Sequence, residues 1–218
     1  MTRPWVLATR SVGKLRELVP WFAGRGLRVI GLDDAGVARS TEEDGIEVHA
    51  TFEGNALAKA RWYAERTGLP CVADDSGLEV DALAGAPGVR SRRFAADRGV
   101  THPGGEDAAN NTALLAALAA TGLAPPWPAR YVCVAAFADG DERRHARGET
   151  GGVIVPTAAG IHGFGYDPYF VSTALGRTFA EATVAEKAAV SHRGRAFAAL
   201  LATWSGGRPH VDTDAGPG

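Results

Sequence analysis

The sequence predicts an α/β fold, and three observations point to it. The chain opens with a short apolar run, Trp5 to Ala8, then a helically spaced segment, then a second apolar run, Leu27 to Leu32; this is a strand–helix–strand opening. A further helical segment, Phe52 to Thr67, leads into the apolar strand Cys71-Val72-Ala73. Two strand-like runs, Arg130 to Ala138 and Glu142 to Val155, flank Asp139-Gly140-Asp141, a strong hairpin turn signal.

The elements follow in chain order. Ser11 reads as the N-cap of a helix from Gly13 to Phe22, with Leu15, Leu18, Val19 and Phe22 on its apolar face. Residues Arg39 to Ala50 are acidic and poorly periodic, so they read as mostly loop. The helix from Phe52 stops at Gly68-Leu69-Pro70. Cys71-Val72-Ala73 ends in Asp74-Asp75-Ser76-Gly77, which reads as an acidic turn at a strand end. Leu83 to Ala108 is rich in Gly, Pro and Arg and reads as a long irregular loop. Asp107 to Thr121 is an Ala/Leu-rich helix, and Pro125-Pro126-Trp127-Pro128 breaks the pattern after it. A last helix, capped by Ser191, carries Phe197, Leu200, Leu201 and Trp204. The Gly- and Pro-rich tail, 205–218, reads as disordered.

The chain has 218 residues, enough for one globular domain or one split into two lobes. Its 45% hydrophobic and 22% charged residues allow a sizeable core. The net charge of −2 offers no basic excess, which argues against nucleic acid as a partner. Cys71 and Cys133 lie in apolar runs and read as buried free thiols, with one disulfide as the alternative. The N-terminal apolar stretch is too short for a signal peptide, and no apolar run is long enough to span a membrane. The expectation is a cytoplasmic protein without membrane contact.

Five segments can carry chemistry. Thr9-Arg10-Ser11-Val12-Gly13-Lys14 joins a strand end to a helix start, where backbone N–H groups and the helix dipole attract anions. It lacks the spacing of a P-loop, and an ordinary capped helix with a surface lysine is the plainer reading. Asp74-Asp75-Ser76 places two carboxylates side by side. In an extended chain they point to opposite faces, so they divide their labour, and a nearby cation would relieve their repulsion. Glu47 precedes a helix on which Asn55 and Lys59 share a face at i, i+4 spacing. Gly163-Phe164-Gly165-Tyr166-Asp167-Pro168 makes a tight loop that can present rings to a planar ligand, with a hydrophobic turn as the plainer reading. Lys187 precedes Ser191-His192-Arg193-Gly194, where His192 and Arg193 can act together only at a loop or a helix start capped by Ser191; an exposed basic turn is the plainer reading. The six histidines and two cysteines show no zinc spacing, so a hard cation on carboxylate oxygens fits better.

Taken together and in this order, LATRSVGK, TFEGNALAKA, ADDSGLEVDALAGAPGV, GFGYDPYF and AEATVAEKAAVSHRGRA resemble the inosine triphosphate pyrophosphatase family, also described as XTP/dITP pyrophosphatases. The resemblance runs from Val6 to about Ala198. It implies a mixed α/β fold: an elongated twisted mixed sheet flanked by helices, in two lobes with the active site in the cleft between them. It implies one pyrophosphatase domain over 1–204, acting as a Mg²⁺-dependent homodimer. The implied reaction cuts ITP, dITP or XTP between the α- and β-phosphates, giving the monophosphate and pyrophosphate and clearing deaminated purines from the nucleotide pool. A pyrophosphatase for a different modified nucleotide is the alternative. Position by position, Asp75 matches the catalytic acid and a metal ligand, and Glu47 the second metal ligand. Thr9, Arg10, Ser11, Val12, Gly13, Lys14, Lys59 and Ser76 match triphosphate or sugar contacts. Phe164, Gly165, Tyr166, Asp167, Lys187, His192 and Arg193 match base contacts. The chain departs from the family pattern at Arg10-Ser11, where Gly-Asn is common; at Gly54, where Glu is usual; and at Arg90-Ser91-Arg92-Arg93, in place of Tyr-Ser-Ala-Arg.

Overall fold

Apolar alternation and capping signals fold the chain into seven strands and five α-helices over the residues described in a computed structural model, 3–204. The strands are β1 (Trp5–Leu7), β2 (Val29–Ile30), β3 (Cys71–Val80), β4 (Trp127–Asp139), β5 (Glu142–Ile154), β6 (Phe170–Ser172) and β7 (Arg177–Thr178). The helices are α1 (Val12–Ala23), α2 (Phe52–Thr67), α3 (Glu106–Ala120), α4 (Val184–Val190) and α5 (His192–Ala202). One open mixed sheet runs in the order β2-β1-β3-β4-β5-β6-β7. β1 pairs in parallel with β2, Val6 opposite Ile30, and with β3, Leu7 opposite Val72. β6 pairs antiparallel with β5 and β7. β4 and β5 are joined through Gly140-Asp141, with Gly140 at φ 51°, a conformation a Cβ would oppose.

The chain divides into two compact units, with one boundary between Asp74 and Asp75 inside β3 and another between Cys133 and Val134 inside β4. The first unit holds residues 3–74, 134–146 and 196–204 of those described. Its core is aromatic: Phe22 meets Phe197 at 5.3 Å, and Trp5 meets Phe137 at 5.0 Å and Trp204 at 5.8 Å between ring centroids. The second unit holds 75–133 and 147–195. Its core gathers Leu78, Phe94, Leu114, Trp127, Tyr131, Phe170 and Phe179.

Several expectations needed correction. On α1 Val19 is exposed and Trp21 buried instead, because Leu18, Trp21 and Phe22 form the i, i+3, i+4 face. The second strand shrinks to Val29–Ile30, since Leu27 N–H caps the Phe22 carbonyl and Gly31 opens a turn. The segment from Arg39 is not all loop: Ser40 and Glu43 form a capping box around a 3₁₀ turn, Thr41–Gly45. The region from Leu83 to Ala108 contains further 3₁₀ turns at Gly88–Arg93 and Ala96–Arg98. α3 begins at Glu106, one residue before the expected Asp107, and 100–105 stays irregular as expected. The proline run stops short of its expected length; β4 starts at Trp127 and carries Pro128 outward, as a strand start tolerates.

The acidic run is the largest revision. It is not a turn at a strand end; β3 continues through it to Val80, because Leu78 and Val80 bury on the second unit's core. β6, β7 and α4 were not expected, although Thr183-x-x-Glu186 is a capping box that signals α4. The helix α2 begins and ends where expected, closed by Gly68 at φ 62°. The expected tail, 205–218, lies outside the described residues. No described helix is long and apolar enough to cross a membrane.

Both cysteines are buried free thiols, as expected. Burial pushes the Cys71 thiol up to about 11, which suppresses the reactive thiolate. The folded protein is therefore expected to show no fast-reacting thiol toward an aromatic disulfide reagent at pH 8, and two after unfolding in urea. A fast-reacting thiol in the folded protein would contradict the burial.

Candidate active site

Each unit carries one cluster of chemistry-bearing side chains. In the first unit, β1 hands over to α1 through Thr9 and Ser11. Ser11 N–H donates to Thr9 Oγ1 at 3.1 Å, and Lys14 N–H donates to Ser11 Oγ at 3.3 Å. The hydroxyls thus shape the loop and cap the helix, leaving its first N–H groups presented at the positive dipole end.

Lys14 reaches from that first turn to Asp74. Its Nζ lies 3.0 Å from Asp74 Oδ2 and donates to the Asp74 carbonyl at 3.2 Å. Lys59, projecting from α2, donates to the same carbonyl at 3.1 Å and pairs with the Glu47 carboxylate. Two ammonium groups therefore converge on one backbone oxygen, each balanced by a carboxylate. Like charges held this close are costly, and the carboxylates offset the cost.

The chain just after Glu47 is tied to α2 at His49. Asn55 Oδ1 accepts the His49 N–H at 2.9 Å, so Asn55 faces back along the incoming chain. Gly54 makes the approach possible: a Cβ there would lie 2.8 Å from His49 Cβ and 3.0 Å from its Cγ. The departure at Gly54 thus accommodates His49.

Arg10 does not reach toward Lys14 and Lys59. Its guanidinium donates to Asp33 at 2.6 Å, to Glu43 at 2.9 Å and to the Val37 carbonyl at 2.8 Å. Burial would raise the Glu43 carboxyl, but bonds from Arg10, Tyr63 and the Ser40 N–H outweigh it and hold it below its ordinary value. Val12 is exposed on the first turn of α1.

The second unit begins its cluster at Asp75, buried in β3, whose Oδ1 accepts the Ser76 N–H at 3.0 Å. Ser76 Oγ accepts from Arg193 at 2.8 Å. Arg193 opens α5 beside His192, which stacks on Tyr131 at 4.6 Å and 9°. Gly194 permits this tight start, since a Cβ there would lie 2.3 Å from the Ala188 carbonyl of α4. Lys187 pairs with Asp167 at 2.6 Å, both nearly fully buried, and lies 4.9 Å from the Phe164 ring centroid; the Arg193 guanidinium is 5.7 Å from that centroid.

Asp167 organises the aromatic loop by accepting the Phe164 N–H at 2.9 Å. A Cβ at Gly163, which sits at φ 76°, would strike Asp167 Oδ2 at 2.1 Å. Gly165 bonds to α3, while the Tyr166 ring joins the core and its hydroxyl donates to the Ser91 carbonyl at 2.7 Å. Burial pushes the Tyr131 phenol well above its ordinary value, and the negative charge of Asp167 adds to it.

The structure brings Lys14 and Lys59 together in one unit, and Ser76, Phe164, Asp167, Lys187, His192 and Arg193 in the other. It places Arg10 in a separate acidic group. Sequence reasoning missed Asp74 as the partner of Lys14 and Tyr131 as the stacking partner of His192. The signal for Tyr131 was a hydroxyl at the head of the apolar run from Val132 to Ala138, where a buried phenol needs a polar neighbour.

A mixed α/β sheet, a capped helix start, paired lysines and a donor-lined aromatic loop are groups that suit a phosphorylated planar ligand. The model of the Ham1 family matches residues 5–203, and the chain belongs to that family. It is 46% identical over 200 residues to the dITP/XTP pyrophosphatase of Burkholderia pseudomallei (strain K96243), covering 90% of this chain and 91% of that one. It is 44% identical to the dITP/XTP pyrophosphatase of Geobacter sulfurreducens (strain ATCC 51573 / DSM 12127 / PCA), covering 92% and 95%. The HAM1 protein structure from Coxiella burnetii superposes with a TM-score of 0.75 at 35% identity, covering 91% of this chain and 96% of that one.

Gly54 offers a local test. Alanine usually stabilises a helix relative to glycine by about 0.5–1 kcal/mol. Here Gly54→Ala is expected to destabilise by roughly 1–3 kcal/mol through overpacking, as read by urea unfolding. Adding His49→Gly should restore the stability; a stabilising single substitution would refute the fit.

Proposed function

We propose that this chain hydrolyses non-standard purine nucleoside triphosphates, ITP, dITP and XTP, to the monophosphate and pyrophosphate, and so removes deaminated purines from the nucleotide pool. The relatives named dITP/XTP pyrophosphatases support this reading. The observation that carries it is the pair of buried cations, Lys187 and Arg193, beside the Phe164 ring. A purine stacks on an aromatic face, and Arg193 only donates hydrogen bonds, so it satisfies a C6 oxygen and opposes a C6 amino group. His192 and Asp167 complete this base end with Gly165 and Tyr166, and Ser76 faces the sugar.

The triphosphate end belongs to the residues from Thr9 to Lys14 and to Lys59. On binding, the two ammonium groups exchange carboxylate partners for phosphate oxygens and stabilise the charge that develops on the departing pyrophosphate. Asp75 accepts a proton from water as the water oxygen attacks the α-phosphorus. The bond to the α–β bridging oxygen breaks, and pyrophosphate leaves with that oxygen. The geometry of Arg10 suits holding the loop better than contacting phosphate.

Glu47 and Asp75 are the carboxylates for Mg²⁺. Among the described residues no three His, Cys, Asp or Glu side chains gather as a metal site. Two hard oxygen donors fit Mg²⁺, which keeps waters and binds through one or two carboxylates plus phosphate oxygens. The bound ion would neutralise polyphosphate charge. A cytoplasmic homodimer without nucleic-acid or membrane partners completes the proposal.

Purified protein with Mg²⁺ and a panel of ITP, dITP, XTP, GTP and ATP tests it. The expected outcome is pyrophosphate release, with kcat/KM for the deaminated purines exceeding that for ATP by roughly 10⁴-fold. Asp75→Asn should lower kcat by roughly 10²–10⁴-fold without loss of fold. Release of single phosphates, or equal turnover of ATP, would overturn the reading; preference for another modified nucleotide would favour the alternative pyrophosphatase.

A further inference from the structure

The aromatic loop is gripped from a direction that the proposed chemistry does not use. α3 places Asp107 and Asn111 at i, i+4 spacing, one above the other on one face. Asp107 Oδ2 accepts the Gly165 N–H at 2.8 Å. Asn111 Nδ2 donates to the Gly165 carbonyl at 2.9 Å and to the Asp107 carbonyl at 2.9 Å. One residue of the loop is thus held at both of its backbone groups by two side chains of one helix.

We propose that Asp107 and Asn111 are positioning residues that set the base specificity of this site by fixing Gly165, and with it the Phe164 ring. The proposal rests on reading the loop as the base end of the site. Gly165 lies between Phe164, which is only partly buried, and Tyr166, which is locked in the core. Gly165 sits at φ 63°, a left-handed conformation, with nothing near its missing Cβ. Its backbone could adopt many alternatives, so external bonds must choose one. Tyr166 anchors one side through Ser91, and Asp167 ties the Phe164 N–H on the other. The α3 clamp closes the remaining freedom.

Asn111 itself supports the inference. Its Oδ1 is buried and accepts no hydrogen bond among the described residues. An orphaned buried acceptor is costly, and a hydrophobic residue would avoid the cost. The amide cannot be turned over to relieve it, because both of its Nδ2 partners are carbonyl oxygens. The structure keeps the orphan and so keeps the two donated bonds. A ring displaced by an ångström would alter stacking and the approach of a C6 oxygen to Arg193, and leave the lysines of the other unit untouched. Misplacement of that size can cost roughly 10²-fold.

The test is calorimetric titration of the full chain with IMP, a probe of the base end, and with inorganic pyrophosphate, a probe of the phosphate end. Asn111→Asp keeps the volume but cannot donate to the two carbonyls. It is expected to weaken IMP binding by roughly tenfold or more, to leave pyrophosphate binding unchanged, and to lower the ITP-to-ATP ratio of kcat/KM. Equal weakening of both probes, or no change in IMP binding, overturns the proposal. If Asn111→Asp fails to fold, Asp107→Ala, at an exposed position, carries the same test through the Gly165 N–H. Failure of the unaltered protein to bind IMP or hydrolyse ITP would instead remove the base-end reading itself.

Discussion

Two adjacent carboxylates buried in one strand set the terms for the rest of this protein. Asp74 is 1% exposed and Asp75 8% exposed, and each would be expensive as an unpaired ion. The strand sends them to opposite faces, so neither can be solved by one partner. Asp74 draws Lys14 from the first turn of α1, and its carbonyl draws both Lys14 and Lys59. Asp75 is turned by the Ser76 N–H, and Ser76 in turn holds Arg193. Lys14 of α1 and Lys59 of α2 are thereby tied to Asp74, and Arg193 of α5 to Ser76.

The second cluster solves a different problem, that of keeping cations where water is scarce. Lys187 and Arg193 are 4% and 3% exposed. Lys187 is paired with Asp167, and both cations have aromatic rings close enough for the ring face to contribute. Asp167 does double service, since it balances Lys187 and also shapes the glycine loop. Donors already buried and paired need no large movement to meet a hydrogen-bond acceptor.

Much of the fold was legible where local rules agree. α2 was read from its periodicity and its Gly68 stop, and the Ser11 and Ser191 caps from hydroxyls preceding helical spacing. The reading failed where tertiary burial overrides local chemistry. Asp-Asp-Ser-Gly has turn composition, but Leu78 and Val80 bury and carry β3 onward. β6 and β7 are too short to show a period. At the site, residue types were legible and partners were not. Arg10 lies within the strand-to-helix loop in sequence, yet its fork matches Glu43 and Asp33, which lie more than twenty positions away. Long-range partners of this kind are chosen by the fold, and no spacing in the chain encodes them.

The aromatic core of the first unit has a spectroscopic consequence. Of the five tryptophans, Trp5, Trp21, Trp62 and Trp204 belong to the first unit and only Trp127 to the second. Tyr131 and Tyr166 both lie in the second. Intrinsic indole emission is therefore dominated by one half of the molecule. Emission and far-ultraviolet ellipticity, followed together through denaturation, distinguish a single cooperative transition from sequential loss of the two units.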